Sequence, residues 1–164
     1  MTSDVLLREM TEMDFPVFFQ HQLDPIANQL AVFGAKDPTD NAAFTAKWIR
    51  ILGDETITKR TVTVDEQIAG QVLSFVAPWS GLPEVSYWIG REFWGRGIAT
   101  RALGQLLDLI PTRPLYARSA RENAASVRVL EKCGFTITGC GRAFSDARGE
   151  EVEEVILELK ADPR

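Results

Sequence analysis

Between Val85 and Ile110 the chain passes from a strand through a glycine turn into a helix, and no other segment constrains the fold as much. Val85-Ser86-Tyr87-Trp88-Ile89 is β-branched and aromatic, the composition of a buried strand. Beyond Phe93-Trp94-Gly95-Arg96-Gly97-Ile98-Ala99-Thr100, the residues Ala99, Ala102, Leu103, Leu106, Leu107 and Ile110 recur on one helical face. The turn therefore delivers the chain to a helix N-terminus, where the first amides lack intrahelical acceptors and the macrodipole is positive. Such a place suits a diphosphate. Arg96 adds a guanidinium that complements phosphate, and Gly97 and Ala99 keep the approach free of bulk. Taken alone, the turn also reads as a plain connection without a ligand. A dinucleotide fold would need G-x-G-x-x-G after a first strand with an acidic residue about 20 positions on, and a phosphate loop would need Gly-Lys-Ser/Thr. Neither pattern is in this turn.

The periodicity around this segment orders the rest. Val5 to Arg8 reads as a strand, and Thr11 with Asp14 opens a helix with Phe15, Phe18 and Phe19 on its apolar face. Asp24 to Thr39, with Phe33, Gly34 and Pro38, reads as loop, and Asp40 to Leu52 as a helix closed by Gly53. The period then becomes twofold over Ile57 to Val64 and Gln67 to Val76, two strands joined at Asp65-Glu66. Ala77 to Pro83 is a loop before the strand Glu84 to Ile89. After the helix over 97–110 come a strand over Leu115 to Ser119, a helix from Asn123 to Lys132 ended by Gly134, and two strands, 136–144 and 151–160. Strand, helix and strand over 84–119 predict a right-handed crossover between parallel strands, and the hairpins on either side predict antiparallel neighbours. The expected fold is an α/β domain over residues 1–164: a mixed, mostly antiparallel sheet of about seven strands with helices on both faces.

Composition excludes several classes. A formal charge of −5 lacks the basic footprint of a nucleic-acid binder; it suits a cationic partner and equally suits plain solubility. Cys133 and Cys140 with the lone His21 match no zinc spacing and no disulfide framework, so a reduced, cytoplasmic protein without a metal is expected. No apolar run is long enough to span a bilayer, and Met1-Thr2-Ser3-Asp4 has none of the regions of an export signal.

The chain resembles the GNAT superfamily of acyl-CoA-dependent N-acyltransferases, and within it the branch of ribosomal-protein alanine and serine N-terminal acetyltransferases. Leu7-Arg8, Thr11-Glu12-Met13-Asp14 and Ile68-Ala69-Gly70 belong to the likeness. Its specific part is Tyr87-Trp88-Ile89 followed by Trp94-Gly95-Arg96-Gly97-Ile98-Ala99-Thr100, with Asn123-Ala124-Ala125-Ser126 and Val129 to Phe135 at the family's spacing. Trp94 stands where most members carry Gln or Arg, as is usual in that branch. The resemblance implies acetyl-CoA as co-substrate and acetyl transfer to a primary amine, a protein N-terminus first, with an aminoglycoside, polyamine or amino acid as alternatives. Homodimers are common in the family. A non-catalytic acyl-CoA sensor is the reading from another class.

It also implies site residues. Main-chain groups of Trp88 and Ile89 would hold the pantetheine arm where two parallel strands splay, with the Ile89 N–H steadying the oxyanion. The amides from Trp94 through Gly95, Arg96, Gly97, Ile98 and Ala99 to Thr100 would hold the diphosphate. Asn123 contacts the arm by resemblance and is a favoured N-cap by residue type. Ser126 would support the departing thiolate, because the position of the family's tyrosine acid is Leu130 here. Glu84 shares a strand face with Ser86 and Trp88 and is the candidate base; a solvated carboxylate at a strand start is its other reading. Glu154 is a rival base, and His21, without a partner, is expected at the surface or cleft edge.

Overall fold

The computed structural model describes residues 4–31 and 34–161; Met1 to Ser3 and Phe33, on which two of the expectations above fall, lie outside the described residues. Seven strands form one sheet: β1 (Val5–Glu9), β2 (Thr58–Val64), β3 (Gln67–Val76), β4 (Pro83–Ile89), β5 (Leu115–Ala120), β6 (Thr136–Ser145) and β7 (Glu150–Leu159). Their order is β1-β2-β3-β4-β5-β7-β6, antiparallel throughout except between β4 and β5. The helices are α1 (Phe15–Gln22), α2 (Pro25–Leu30), α3 (Asn41–Gly53), α4 (Ile98–Leu109) and α5 (Ala124–Lys132). Single 3-10 turns at Glu12–Asp14 and Arg91–Phe93 precede α1 and α4. The mixed sheet and the β4-α4-β5 crossover are those expected.

Alternation along the strands puts core on both faces. Val72 of β3 and Val85 and Ile89 of β4 join Ile98, Ala102, Leu103 and Leu106 of α4 and Leu130 of α5 in the larger core. Burying a leucine completely, as at Leu103 and Leu106, stabilises by about 1.5–3 kcal/mol. Ile68 and Leu73 of β3 pack on the other side, under Met10, Phe15, Phe18, Phe44, Trp48 and Ile51.

Local chemistry explains most element ends. Asp65 and Glu66 both have positive φ (49° and 72°), which matches the twist of the β2–β3 hairpin they join. Gly134, at φ 98°, ends α5 as expected, with Phe135 N–H donating to the Leu130 carbonyl. Two local expectations are corrected. The stretch read as loop from Asp24 holds α2, where the Asp24 side chain accepts from Ile26 N–H and Pro25 takes the first turn; six residues are too few to show a period. Gly53 is the last helical residue of α3 and Asp54 is its cap.

Candidate active site

β4 pairs with β3 along its whole length, from Gly70↔Ile89 to Val76↔Pro83, yet meets β5 only at Glu84↔Tyr116. The two parallel strands start side by side and separate towards their C-terminal ends. Gly90 N–H donates to the Ala69 carbonyl at 2.8 Å, so the backbone groups of Ile89, one residue back, face the opposite edge and the opening. Trp94 fills part of that edge: its indole Nε1 donates to the Ile89 carbonyl at 2.7 Å. The residue at the family's Gln/Arg position thus contributes a side-chain hydrogen bond of its own, tying the turn to the strand end. The Ile89 N–H is left towards the opening without a strand partner there.

The turn into α4 has the geometry its glycines permit. Gly95 and Gly97 sit at φ 75° and 72°, where an L side chain is strained. Gly97 is the N-cap of α4 and supplies no side-chain cap, leaving the amides of Ile98, Ala99 and Thr100 without an intrahelical acceptor. A Cβ built on either glycine meets no atom within 4 Å, so the space beside these amides is open. Arg96 departs from the group. Its guanidinium lies 5.6 Å from the Phe93 ring centroid, and the residue borders a separate depression with Gln67, Ile68 and Glu92.

The opening belongs to a cleft of about 1000 Å³ that gathers Glu84, Trp88, Ile89, Trp94, Gly95, Gly97 to Thr100, Asn123 and Ser126. Asn123 caps α5, its Oδ1 accepting from Ser126 N–H at 3.2 Å. Across the cleft wall the Tyr87 hydroxyl lies 2.9 Å from Ser126 Oγ. Glu84 is buried at 4 % exposure, and its Oε2 accepts from Trp79 Nε1 (2.9 Å), Ser80 Oγ (3.2 Å) and Arg118 Nε (3.3 Å). The solvated reading of Glu84 therefore fails. Arg118 also donates to Glu154 Oε1 at 2.7 Å, so one guanidinium stands between two buried carboxylates. Glu154 itself is outside the cleft lining. Among the described residues no group of His, Cys, Asp and Glu could hold a metal, and no helix is long and apolar enough to cross a membrane.

A family model described as the acetyltransferase (GNAT) domain matches residues 4–136. The chain belongs to the GNAT acetyltransferases. It is an N-acetyltransferase of that family, and its co-substrate is acetyl-CoA. A curated relative from Bacillus licheniformis, named uncharacterized N-acetyltransferase p20, is 24% identical over 172 residues, 96% of this chain and 93% of that protein. Among solved structures, the microcin C7 self-immunity acetyltransferase MccE, in complex with acetyl-CoA and AMP, superposes with TM-score 0.80 at 17% identity, over 96% of this chain and 93% of that one. Ribosomal-protein-alanine N-acetyltransferase from Brucella melitensis gives TM-score 0.79 at 21% identity, over 95% and 99%.

Two parts of this GNAT cleft were only partly legible in the sequence. Of the two places expected for His21, the surface and the cleft edge, the structure has the cleft: the residue lines it and is buried at 9 % exposure, packed so closely that a Cβ on Gly90 would lie 2.5 Å from its Nε2. Burial lowers its pKa, against a smaller opposing pull from Glu92, and neither ring nitrogen has a hydrogen-bond partner among the described residues. Tyr87 was legible as a strand residue of the motif, but nothing local pairs it with Ser126, 39 residues on.

Proposed function

We propose that this chain moves the acetyl group of acetyl-CoA to a primary amine by direct attack of the neutral amine on the thioester. The observation that carries the reading is the unpaired edge of β4 running straight into the uncapped N-terminus of α4. The edge at Ile89 holds the pantetheine arm, and the Ile89 N–H donates to the oxyanion as the carbonyl is attacked. The backbone groups of Trp88 are turned to Gln71 of β3, so Trp88, expected to share this role, enters only through the cleft lining. The amides from Trp94 to Thr100 hold the diphosphate, with Asn123 bordering the arm from α5. Arg96 enters this set through its backbone, since its side chain is turned to Phe93.

The acceptor ammonium must first lose a proton. Glu84 is the base: all three recorded donors converge on Oε2, which leaves Oε1 to take the proton directly or through water. Ser126 supports the departing thiolate. The acceptor is a protein N-terminus in the first instance, a reading favoured by the likeness to ribosomal-protein-alanine N-acetyltransferase. Small amines are the alternative.

Thiol release from acetyl-CoA with a panel of amines, alanine- and serine-initiated peptides among them, tests the proposal, with products identified by mass spectrometry. Turnover with one class is expected, and Glu84→Gln should slow it by about 100-fold at neutral pH. Binding without turnover of any amine would make the chain an acyl-CoA sensor. Absence of calorimetric affinity for coenzyme A would overturn the site.

A further inference from the structure

Tyr87 and Ser126 come from different elements and meet in the cleft lining. Tyr87 projects from the β4 face opposite Glu84 and Trp88, and is packed against the larger core. Ser126 sits in the first turn of α5, its backbone N–H held by Asn123 Oδ1. Tyr87 is the hydrogen-bond partner recorded for Ser126 Oγ among the described residues, at 2.9 Å. Leu130, where a proton donor one turn further along α5 would stand, is buried in the core at 2 % exposure.

We propose that Tyr87 is a positioning residue for the leaving group: its phenol donates to Ser126 Oγ, which aims the serine's own proton at the sulfur of the thioester. The assignment rests on the reading above, that the thioester lies beside α5. The direction of the bond follows from acidity. A phenol is far more acidic than an alkyl hydroxyl, so the shared proton belongs to Tyr87 and the serine oxygen accepts. Burial pushes the phenol pKa up, more than the contact with Ser126 lowers it, so Tyr87 stays protonated through the working range. A serine hydroxyl otherwise rotates freely. With its oxygen occupied by the phenol, its proton turns to the remaining acceptor.

The step balances without either residue changing its protonation state. The amine nitrogen forms a bond to the carbonyl carbon, the C–S bond breaks, and sulfur takes the electron pair as thiolate. Ser126 O–H, polarised by Tyr87, hydrogen-bonds to that thiolate. Glu84 passes the ammonium proton to solvent before the attack and takes the second nitrogen proton as the C–S bond breaks, and the thiolate is protonated by solvent on release.

The test uses coenzyme A itself, so it needs no acceptor. Thiolate absorbance of coenzyme A bound to the wild-type protein, followed against pH, should titrate about one unit below the free thiol. Tyr87→Phe and Ser126→Ala should each raise that value, and the double variant should raise it no further than Ser126→Ala alone. Calorimetry checks that all three variants still bind the nucleotide, and circular dichroism that they fold; Tyr87→Phe keeps the ring and removes only the hydroxyl. An unshifted titration in the bound variants, or effects that simply add, would overturn the relay. If the wild type fails to bind coenzyme A, it is the site reading that falls.

Discussion

Substituting Gly97 by Ala separates what this glycine does for the fold from what it does for the ligand. At φ 72° a Cβ carries the left-handed penalty of about 1–2 kcal/mol. No steric penalty is added, because the new methyl meets no atom within 4 Å. In a chain of this size each kcal/mol lowers Tm by about 2–4 °C, so a fall of about 2–8 °C is expected. The same methyl stands in the open space beside the amides of Ile98 to Thr100, and acetyl-CoA affinity should fall at least about tenfold, roughly 1.4 kcal/mol. Gly104 is the matched control. It lies inside α4 with helical φ, a Cβ there also meets nothing within 4 Å, and Ala should stabilise by about 0.5–1 kcal/mol with affinity unchanged. Thermal unfolding and calorimetry on Gly97→Ala, Gly104→Ala and the pair complete the experiment. The pair should recover part of the stability and none of the affinity. Wild-type affinity in Gly97→Ala, or affinity that returns together with stability, would refute the backbone-cradle reasoning.

Two further outcomes concern the frame. A Cβ on Gly70 would lie 2.0 Å from the Trp88 carbonyl oxygen and 3.0 Å from Ile89 Cα, both backbone atoms, so Gly70→Ala should cost about 3 kcal/mol in urea unfolding and weaken acetyl-CoA binding; an undisturbed variant would contradict the close approach of β3 and β4. Asp14 is buried; burial alone would raise its pKa, but Arg8, Thr61 and the Thr11 N–H together hold it below its ordinary value. A carboxyl depressed in the folded state adds stability above its unfolded pKa and loses it as pH falls through the folded one. Stability should therefore drop below about pH 4, and Asp14→Asn should flatten that acid limb in unfolding experiments.

The order of strands and helices was readable because local chemistry repeats at short range. Asn123 and Gly134 bracket α5 through a cap and a left-handed turn, and Asp65-Glu66 closes a hairpin between two twofold runs. The glycine turn before α4 was readable for the same reason, since its conformation follows from Gly95 and Gly97. What stayed hidden depends on which element faces which. Arg96 suits an anion by type, yet Phe93, three residues before it, offers its ring to the guanidinium. Glu84 has the same composition whether solvated or buried; Arg118, 34 residues away, decides the matter. For His21 the sequence left the surface and the cleft edge both open, and its burial follows only from the docking of α1 on Gly90.

The single register pair between β4 and β5 also makes the sheet two leaves, β1–β4 and β5–β7–β6, sewn together at Glu84 and held across the remaining seam by side chains of α4 and α5. Polar edges bordering a seam of this kind call for a linear, amide-bearing guest. Under the reading offered above, the co-substrate is the missing stitch of the ladder, and filling the seam and knitting the two leaves into one sheet become the same event.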